Sequence, residues 1–373
     1  MKKNNFTDAL PFWMSLTILG VVLFSAYMGG WWLILIPAYT WWFLAIVDHF
    51  EGMELSNKDP NTPDSELFWY RLITIIWFPL ECVLIFGAIA YVSWTDNLQG
   101  AEAWALLFGI GVVSGSVGIV YAHELMHQKP KYERHMGDGL MCLTLYGHFR
   151  SEHLLVHHRY VATPRDPVTA RYNEGFHRYF PRVLISCLKS SWAAEKAMLA
   201  RKGLPVYHRS NPFWKYAILQ LSFLVLSFVI GGWFGVALFC VQAFTAIWQL
   251  ELVNYVEHYG LTRRHLGDGK YEHVKPHHSW NAAYKVSNYF LINLQRHSDH
   301  HYKPDRRFPL LQTYDADQAP QLPASYSWMT IAAMVPPVWK KIMNPRVKAW
   351  RQQHYPDVED WHPYNKALNP QPK

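Results

Sequence analysis

Three long stretches of this chain, 4–57, 72–128 and 216–262, contain neither lysine nor arginine. The chain carries 35 such residues and a formal charge of +7, so their absence from these stretches constrains the fold. A lysine or arginine at the centre of a membrane helix costs about 2.5–3.5 kcal/mol on insertion scales, which explains why membrane spans avoid them. The charge pattern therefore predicts segments that cross a bilayer.

Each stretch contains two apolar runs, and roughly 20 apolar residues are enough to cross the hydrocarbon core. The six runs lie at 11–29, 31–47, 72–94, 103–122, 216–232 and 233–253. Very short links join them in pairs. We therefore predict an all-α membrane protein with six transmembrane helices, arranged as three hairpins.

The links near Gly29-Gly30, at 95–102 and near Gly231-Gly232 also lack lysine and arginine, so every basic residue falls on one side of the six-span arrangement. By the positive-inside rule that side is the cytoplasm. We expect a multi-pass protein of a bacterial-type inner membrane, with both termini cytoplasmic and the first span kept as an anchor. Residues 123–215 and 254–373 then form a cytoplasmic helical cap, within one domain covering 1–373. The last residues, from Asn369, are expected to fray.

Nine of the 20 histidines occur in four short clusters within this cap. The clusters are HELMH, EHLLVHH, NYVEHYG and RHSDHH, and they contain His123, His127, His153, His157, His158, His258, His297, His300 and His301. Residues three or four apart share one face of a helix, so each multi-histidine cluster can direct its imidazoles to one place. Three clusters with this spacing are unlikely to arise by chance. His258 is the single histidine of its cluster, so it is weaker evidence for a metal site.

Nine imidazoles exceed what one zinc ion binds, because a catalytic zinc uses three protein ligands and one open position. Two metals with four or five ligands each fit better, although imidazole alone does not choose among Zn, Cu, Fe and Ni. The first cluster follows the fourth span directly, and His258 follows the sixth, so the site should lie at the membrane boundary. Polar neighbours expected to orient the imidazoles are Glu124, Glu152, Asp166, Asn254, Glu257 and Asp299.

The sequence shows no group of its own that could carry electrons. Its four cysteines form no CxxC pair, and Walker and flavin-binding patterns are absent. The glycine-rich run 109–118 lies inside a span, where Gly111 and Gly115 are spaced for close helix packing. Electrons must come from a partner, and the basic face would favour an acidic carrier.

The ordered motifs HELMHQ, YGHFRSEHLLVHHR, ATPRDP, NYVEHYG, YEHVKPHHSWN and LQRHSDHHYKP resemble those of the integral-membrane alkane 1-monooxygenases, within the larger group of membrane desaturases and hydroxylases. The resemblance implies two non-haem irons held by the nine histidines, activation of O2, and hydroxylation of the terminal methyl of medium- or long-chain n-alkanes. It also implies a rubredoxin as electron donor, reduced by a flavoprotein reductase. Alkyl-aromatic methyl groups and fatty acyl chains are alternative substrates.

Two positions depart from the family pattern: Gln128 replaces a lysine, and Val156 replaces a glycine. Neither change removes a proposed metal ligand. We therefore expect the two changes to bear on the preference for a substrate more than on the type of reaction. An alkane offers no polar group, so its selection depends on the shape of the channel. Aromatic residues expected to line or block that channel are Trp41, Trp42, Phe43 and Trp77.

Two other functions compete with the oxygenase. A membrane zinc peptidase would use Glu124 of HExxH as general base, but would leave seven clustered histidines unexplained. A metal transporter or storage protein would place ionisable ligands inside the spans. The histidine clusters lie outside the predicted spans, at their ends.

Overall fold

A computed structural model describes residues 6–365, so the predicted frayed end from Asn369 lies outside the described residues. Long helices dominate it. Those long and apolar enough to cross a membrane are Phe6–Met28, Gly30–Glu51, Phe68–Trp94, Ala101–His127 and Phe213–His258. The last contains non-helical backbone at Gly231 and Gly232, where φ of Gly232 is +59°. It is thus two helices joined by a sharp turn, and the predicted six-span arrangement is confirmed.

The fourth span, Ala101–His127, is the central helix of the bundle. Of its most apolar window 83% is buried within the protein, against 39% or less for the other spans. Gly111 and Gly115 allow the sixth span to approach closely, since a Cβ at Gly111 would lie 2.6 Å from the carbonyl oxygen of Gln242 and one at Gly115 2.8 Å from Cβ of Gln249. This confirms the packing role predicted for the glycine-rich run.

The helices of the cap surround the ends of the fourth and sixth spans. After the fourth span come Lys131–Leu143, Phe149–Glu152, a π-helical turn His153–His157, His158–Tyr160 and Phe176–Ala200. After the sixth come a small antiparallel pair of strands, His265–Gly267 and Lys270–Tyr271, and then Pro276–His278, Lys285–Phe290, His297–Tyr302, Phe308–Leu310, Tyr326–Ala333, Pro336–His354 and Pro363–Asn365.

Two apolar cores meet at the histidine clusters. One joins the first four spans and includes Trp77, Tyr121 and Phe149. The other packs Phe176–Ala200 and Pro336–His354 against the end of the sixth span, around Tyr255 and Trp339. The clusters therefore lie between the membrane bundle and the cap, held by elements from both.

Candidate metal centre

Five of the nine histidines form one compact group, which we call the five-histidine group: His123, His127, His153, His158 and His300. Their ring nitrogens approach within hydrogen-bond distance in a chain: Nε2 of His153 lies 3.0 Å from that of His127 and 2.9 Å from that of His158. Nε2 of His300 lies 3.1 Å from that of His158. Side chains from three separate segments therefore converge on one point.

The other four form a second group, the four-histidine group: His157, His258, His297 and His301. Nε2 of His301 lies 3.2 Å from that of His157 and 3.0 Å from that of His297. Nε2 of His297 lies 3.1 Å from that of His258. His258, the solitary histidine in sequence, thus sits beside three clustered ones.

The second and fourth clusters, EHLLVHH and RHSDHH, contribute to both groups. His157 and His158 are adjacent in sequence yet belong to different groups, as do His300 and His301. In an α-helix neighbouring side chains diverge by about 100°, so one short helix can serve two metals. The two groups are therefore linked along the backbone at two places.

A π-helical turn at His153–His157 explains why the second cluster fits both groups. His153 and His158 are five residues apart, the hydrogen-bond period of a π-helix, and their Nε2 atoms are 2.9 Å apart. The prediction from spacings of three and four did not anticipate this pairing. Another π-turn, Ser114–Gly118, precedes HELMH in the fourth span.

The arrangement of ring nitrogens suits metal ions. Candidate ligand atoms within each group all lie within 4.8 Å of one another. Burial, first of all, and then the neighbouring imidazoles lower the pKa of His153, His158, His297, His300 and His301, so these rings are neutral at ordinary pH. A neutral imidazole has one nitrogen without hydrogen, and several such lone pairs facing one another are satisfied by a shared cation. Neutral imidazole is the form that binds metals.

Asp166 contacts one of the nine histidines. Its Oδ2 accepts a hydrogen bond from Nδ1 of His157 at 2.9 Å and another from the hydroxyl of Thr169. When Nδ1 of His157 carries the proton, Nε2 of the same ring has a free lone pair. That lone pair points towards His301, within the four-histidine group. Asp166 belongs to the ATPRDP motif, so that loop supports a histidine nine residues before it.

The other predicted polar neighbours make different contacts. Glu257 Oε2 lies 3.3 Å from Nε2 of His297, on the side of the ring that faces the centre. Glu124 accepts hydrogen bonds from the side chain of Gln128 and the backbone of Phe308. Gln128, which replaces the family's lysine, therefore preserves a polar contact with this carboxylate.

Glu152, Asn254 and Asp299 make no hydrogen bond or ion pair with an imidazole among the described residues. Both oxygens of Glu152 are buried and unpartnered within residues 6–365. Asn254 donates to Glu251. Asp299 accepts hydrogen bonds from Arg306 and from Tyr314, and thereby orders the loop after the fourth cluster. Their roles at a metal stay predictions.

Glu251 is a buried carboxylate that the sequence analysis did not single out. It accepts hydrogen bonds from the hydroxyls of Tyr146 and Tyr179 and from the amide of Asn254. It thereby joins the sixth span to Phe176–Ala200 and to the loop before the second cluster. Its position one helical turn before Asn254, and two before His258, was the available sequence signal.

Two small cavities that share the lining residues Val120 and Leu294 lie between the membrane helices and the five-histidine group. The outer cavity, about 40 Å³, is also lined by Trp41 and Leu44 among others. The inner cavity, about 10 Å³, is also lined by His123 and His300 with their neighbours. These volumes hold only a few water molecules, so a longer substrate must displace side chains.

The four aromatic residues expected along a substrate channel lie in different places. Trp41 lines the outer cavity and donates to the side chain of Gln249 at 3.0 Å. Trp42 and Phe43 are about half exposed on the outside of the bundle. Trp77 is fully buried and donates to Glu81. Trp41 is the one of the four that contacts the cavity, and a blocking role for any of them stays a prediction.

Comparisons with known proteins agree with this site. The fatty acid desaturase family matches residues 100–332, which contain all nine histidines. The chain is 36% identical over 361 residues to alkane 1-monooxygenase 2 of Alcanivorax borkumensis, covering 94% of this chain and 92% of that protein. It is 35% identical over 350 residues to alkane 1-monooxygenase 2 of Pseudomonas aeruginosa, covering 91% and 89%. The xylene/toluene monooxygenase hydroxylase component of Pseudomonas putida is 24% identical over 351 residues, covering 93% and 91%.

Proposed function

The chain belongs to the fatty acid desaturase family and, within it, to the alkane 1-monooxygenases, and on that premise we propose that it is a membrane hydroxylase of hydrocarbon methyl groups. The proposed reaction converts an n-alkane to a 1-alkanol with O2, two electrons and two protons, and the second oxygen atom leaves as water. The observation that carries the proposal is the convergence of nine imidazoles in two groups at the ends of membrane helices, with His123 and His300 lining a small cavity beside those helices.

The two histidine groups support a pair of metal ions, and we assign non-haem iron to both. Iron bound there would supply the activation of O2. Imidazole suits iron, zinc and copper alike, so the assignment depends on the family. Two groups of five and four ligands agree with a dinuclear centre better than with the single zinc of a peptidase. In addition, Glu124, which a peptidase would use as its general base, accepts hydrogen bonds from Gln128 and Phe308, and neither belongs to the nine histidines.

The protein's own part is to bind, orient and shield. Asp166 holds a proton on Nδ1 of His157 and keeps that ring in one orientation. All members of the four-histidine group are 3% exposed or less, so bulk water has little access to that group. Val120 and Leu294 line both the outer and the inner cavity, where they would present apolar surface to a hydrocarbon.

The electrons come, in this proposal, from a rubredoxin that a flavoprotein reductase reduces. Support comes from the sequence, which has no flavin- or nucleotide-binding pattern and places its basic residues on one face. That face would lie in the cytoplasm, with both termini, if the protein resides in a bacterial-type inner membrane. An acidic carrier would then approach with electrostatic steering that weakens as salt is added.

Product analysis tests the proposal directly. The purified protein, loaded with iron and supplied with rubredoxin, its reductase and O2, should convert octane to 1-octanol, and a protein without added rubredoxin should not. Conversion of p-xylene but not octane would favour the alkyl-aromatic alternative, which the similarity to a xylene/toluene monooxygenase component supports. Failure with octane, p-xylene and a fatty acid would contradict the oxygenase.

A further inference from the structure

A second cavity lies on the other side of Asp166 and shares no lining residue with the cavity beside His123. Its volume is about 290 Å³. Its walls are the loop 162–172 after the second histidine cluster, one face of Phe176–Ala200, and residues 260–263 just after His258. We call it the arginine cavity, because Arg165, Arg171, Arg182 and Arg263 all line it.

Two of these arginines are satisfied within the protein. Arg182 forms a two-pronged ion pair with Glu174, with both contacts at 2.8 Å. Arg263 donates to the backbone carbonyls of Glu272 and Arg159. Asp166, the acidic residue of the lining, already has both oxygens in hydrogen bonds, from His157, Thr169 and the backbone of Val168.

The side chains of Arg165 and Arg171 make no ion pair or hydrogen bond with another residue in the part of the chain from 6 to 365. Arg171 is half-buried, and burial and the nearby Arg182 both lower its pKa. The hydroxyl of Thr262, on the same wall, is buried and has no partner within those residues. Positive charge and a hydrogen-bond donor therefore face the cavity without a matching acceptor.

We infer that the arginine cavity binds a phosphate group through Arg165, Arg171 and Thr262. Guanidinium groups bind phosphate through paired hydrogen bonds, and the several oxygens of a phosphate can serve two arginines and a hydroxyl together. The phosphate can be free or part of a phospholipid headgroup. The helix Phe176–Ala200 agrees with a lipid source. It lines the cavity with Ser186 and Ser190 and exposes Ile185, Leu188 and Trp192, as expected of a helix at a membrane surface.

The first test measures binding of inorganic phosphate to the detergent-purified full chain by calorimetry, against chloride at equal ionic strength. The variant Arg165→Gln/Arg171→Gln removes two positive charges from the cavity. The control Lys202→Gln/Arg209→Gln removes two from exposed positions in the loop before the fifth span. Wild type and control should bind alike, and the cavity variant about tenfold more weakly or worse, since it loses charge-assisted hydrogen bonds. Equal affinity in all three proteins would contradict a phosphate site here.

The second test identifies the source. Each protein is reconstituted in nanodiscs of phosphatidylglycerol and phosphatidylcholine and then extracted. Native mass spectrometry measures how many lipid molecules stay bound to it. A phospholipid retained by wild type and control but lost from the cavity variant assigns the site to a headgroup, even if free phosphate binds weakly. If neither phosphate nor lipid distinguishes the variant, the inference is wrong. A circular dichroism spectrum of the cavity variant that matches wild type excludes misfolding as the cause, and Arg165→Lys/Arg171→Lys should bind with intermediate affinity. Hydroxylation is not a readout, so this test is independent of the proposed function.

Discussion

The nine-histidine centre and the group Glu272, His277 and His278, which we call the loop cluster, both bring candidate ligands together, but their nitrogens are used differently. In the centre, Nε2 atoms face other Nε2 atoms. In the loop cluster, Nδ1 of His278 accepts from the backbone of Lys275 at 2.9 Å, and Nε2 of both histidines lies near the hydroxyl of Tyr355. That hydroxyl donates in turn to Glu272.

The difference shows that the number of nearby histidines is a weak guide to metal binding. Buried polar groups that already have partners need nothing more from a ligand. The loop cluster is such a closed network, and it joins the KPHHSW loop to the end of Pro336–His354. In the centre, the Nε2 atoms have chiefly one another as neighbours, and a shared cation can satisfy their lone pairs together. A metal should therefore bind the centre and stabilise it, and should leave the loop cluster unchanged.

The largest expected effect comes from removing one ligand of the centre. His300→Ala should abolish hydroxylation and lower iron well below about two per chain, because the five-histidine group loses one ligand. Iron is measured by elemental analysis and activity by 1-octanol formation. The matched variant His277→Ala, in the loop cluster, should keep both its iron and its activity. If His300→Ala still turned over octane normally, the ligand assignment would fail.

The next effect concerns the support of a ligand. Asp166→Asn keeps the shape of the side chain but removes the charge that holds Nδ1–H of His157. We expect iron to be retained about 10- to 100-fold more weakly, as is usual when such a partner is lost. The readout is the chelator concentration that removes half of the iron.

Asp299→Asn is the control for Asp166→Asn, since Asp299 lies between two ligands in sequence but bonds to Arg306 and Tyr314. Iron affinity close to wild type is expected there. If both variants lost iron affinity equally, any nearby carboxylate would have the same effect. The specific role assigned to Asp166 would then be wrong.

The sequence predicted the features that depend on local composition. The six spans, their tight turns and the continuation of the fourth and sixth spans into HELMH and NYVEH all follow from apolar runs and an absence of helix breakers. The structure also brings together all nine predicted histidines. The division into five and four did not follow, because it depends on the π-turn at His153–His157, which spacings typical of an α-helix cannot reveal. Glu251 was missed because its tyrosine partners come from distant segments.

A smaller effect should appear in the pH dependence of stability at the loop cluster. Burial lowers the pKa of His278 to about 4. The unfolded chain, with a histidine pKa near 6.5, therefore takes up the proton first as the pH falls, and this contribution to stability is complete above 6.5 and lost progressively towards 4. The loss should be about 2 kcal/mol at pH 5.

Unfolding in detergent at pH 7 and pH 5 measures this contribution. His278→Gln should be less stable at pH 7 but should lose less stability between the two pH values than wild type. His273→Gln, at an exposed position in the same loop, is the control and should follow the wild-type slope. An unchanged slope in His278→Gln would mean that His278 is not held neutral by the fold.

The smallest effect distinguishes most sharply between a closed network and a metal site. Tyr355→Phe removes the hydroxyl that Glu272, His277 and His278 share, and should lower the free energy of unfolding by about 1 kcal/mol, the usual contribution of a hydrogen bond. Iron content should not change, because no atom of this network belongs to the centre. If the loop cluster were a metal site, that hydroxyl would compete with the ion, and Tyr355→Phe would bind added zinc more tightly and gain stability from it. We expect zinc to leave the unfolding temperature of iron-loaded wild type and variant unchanged, since these imidazoles and this carboxylate already satisfy one another.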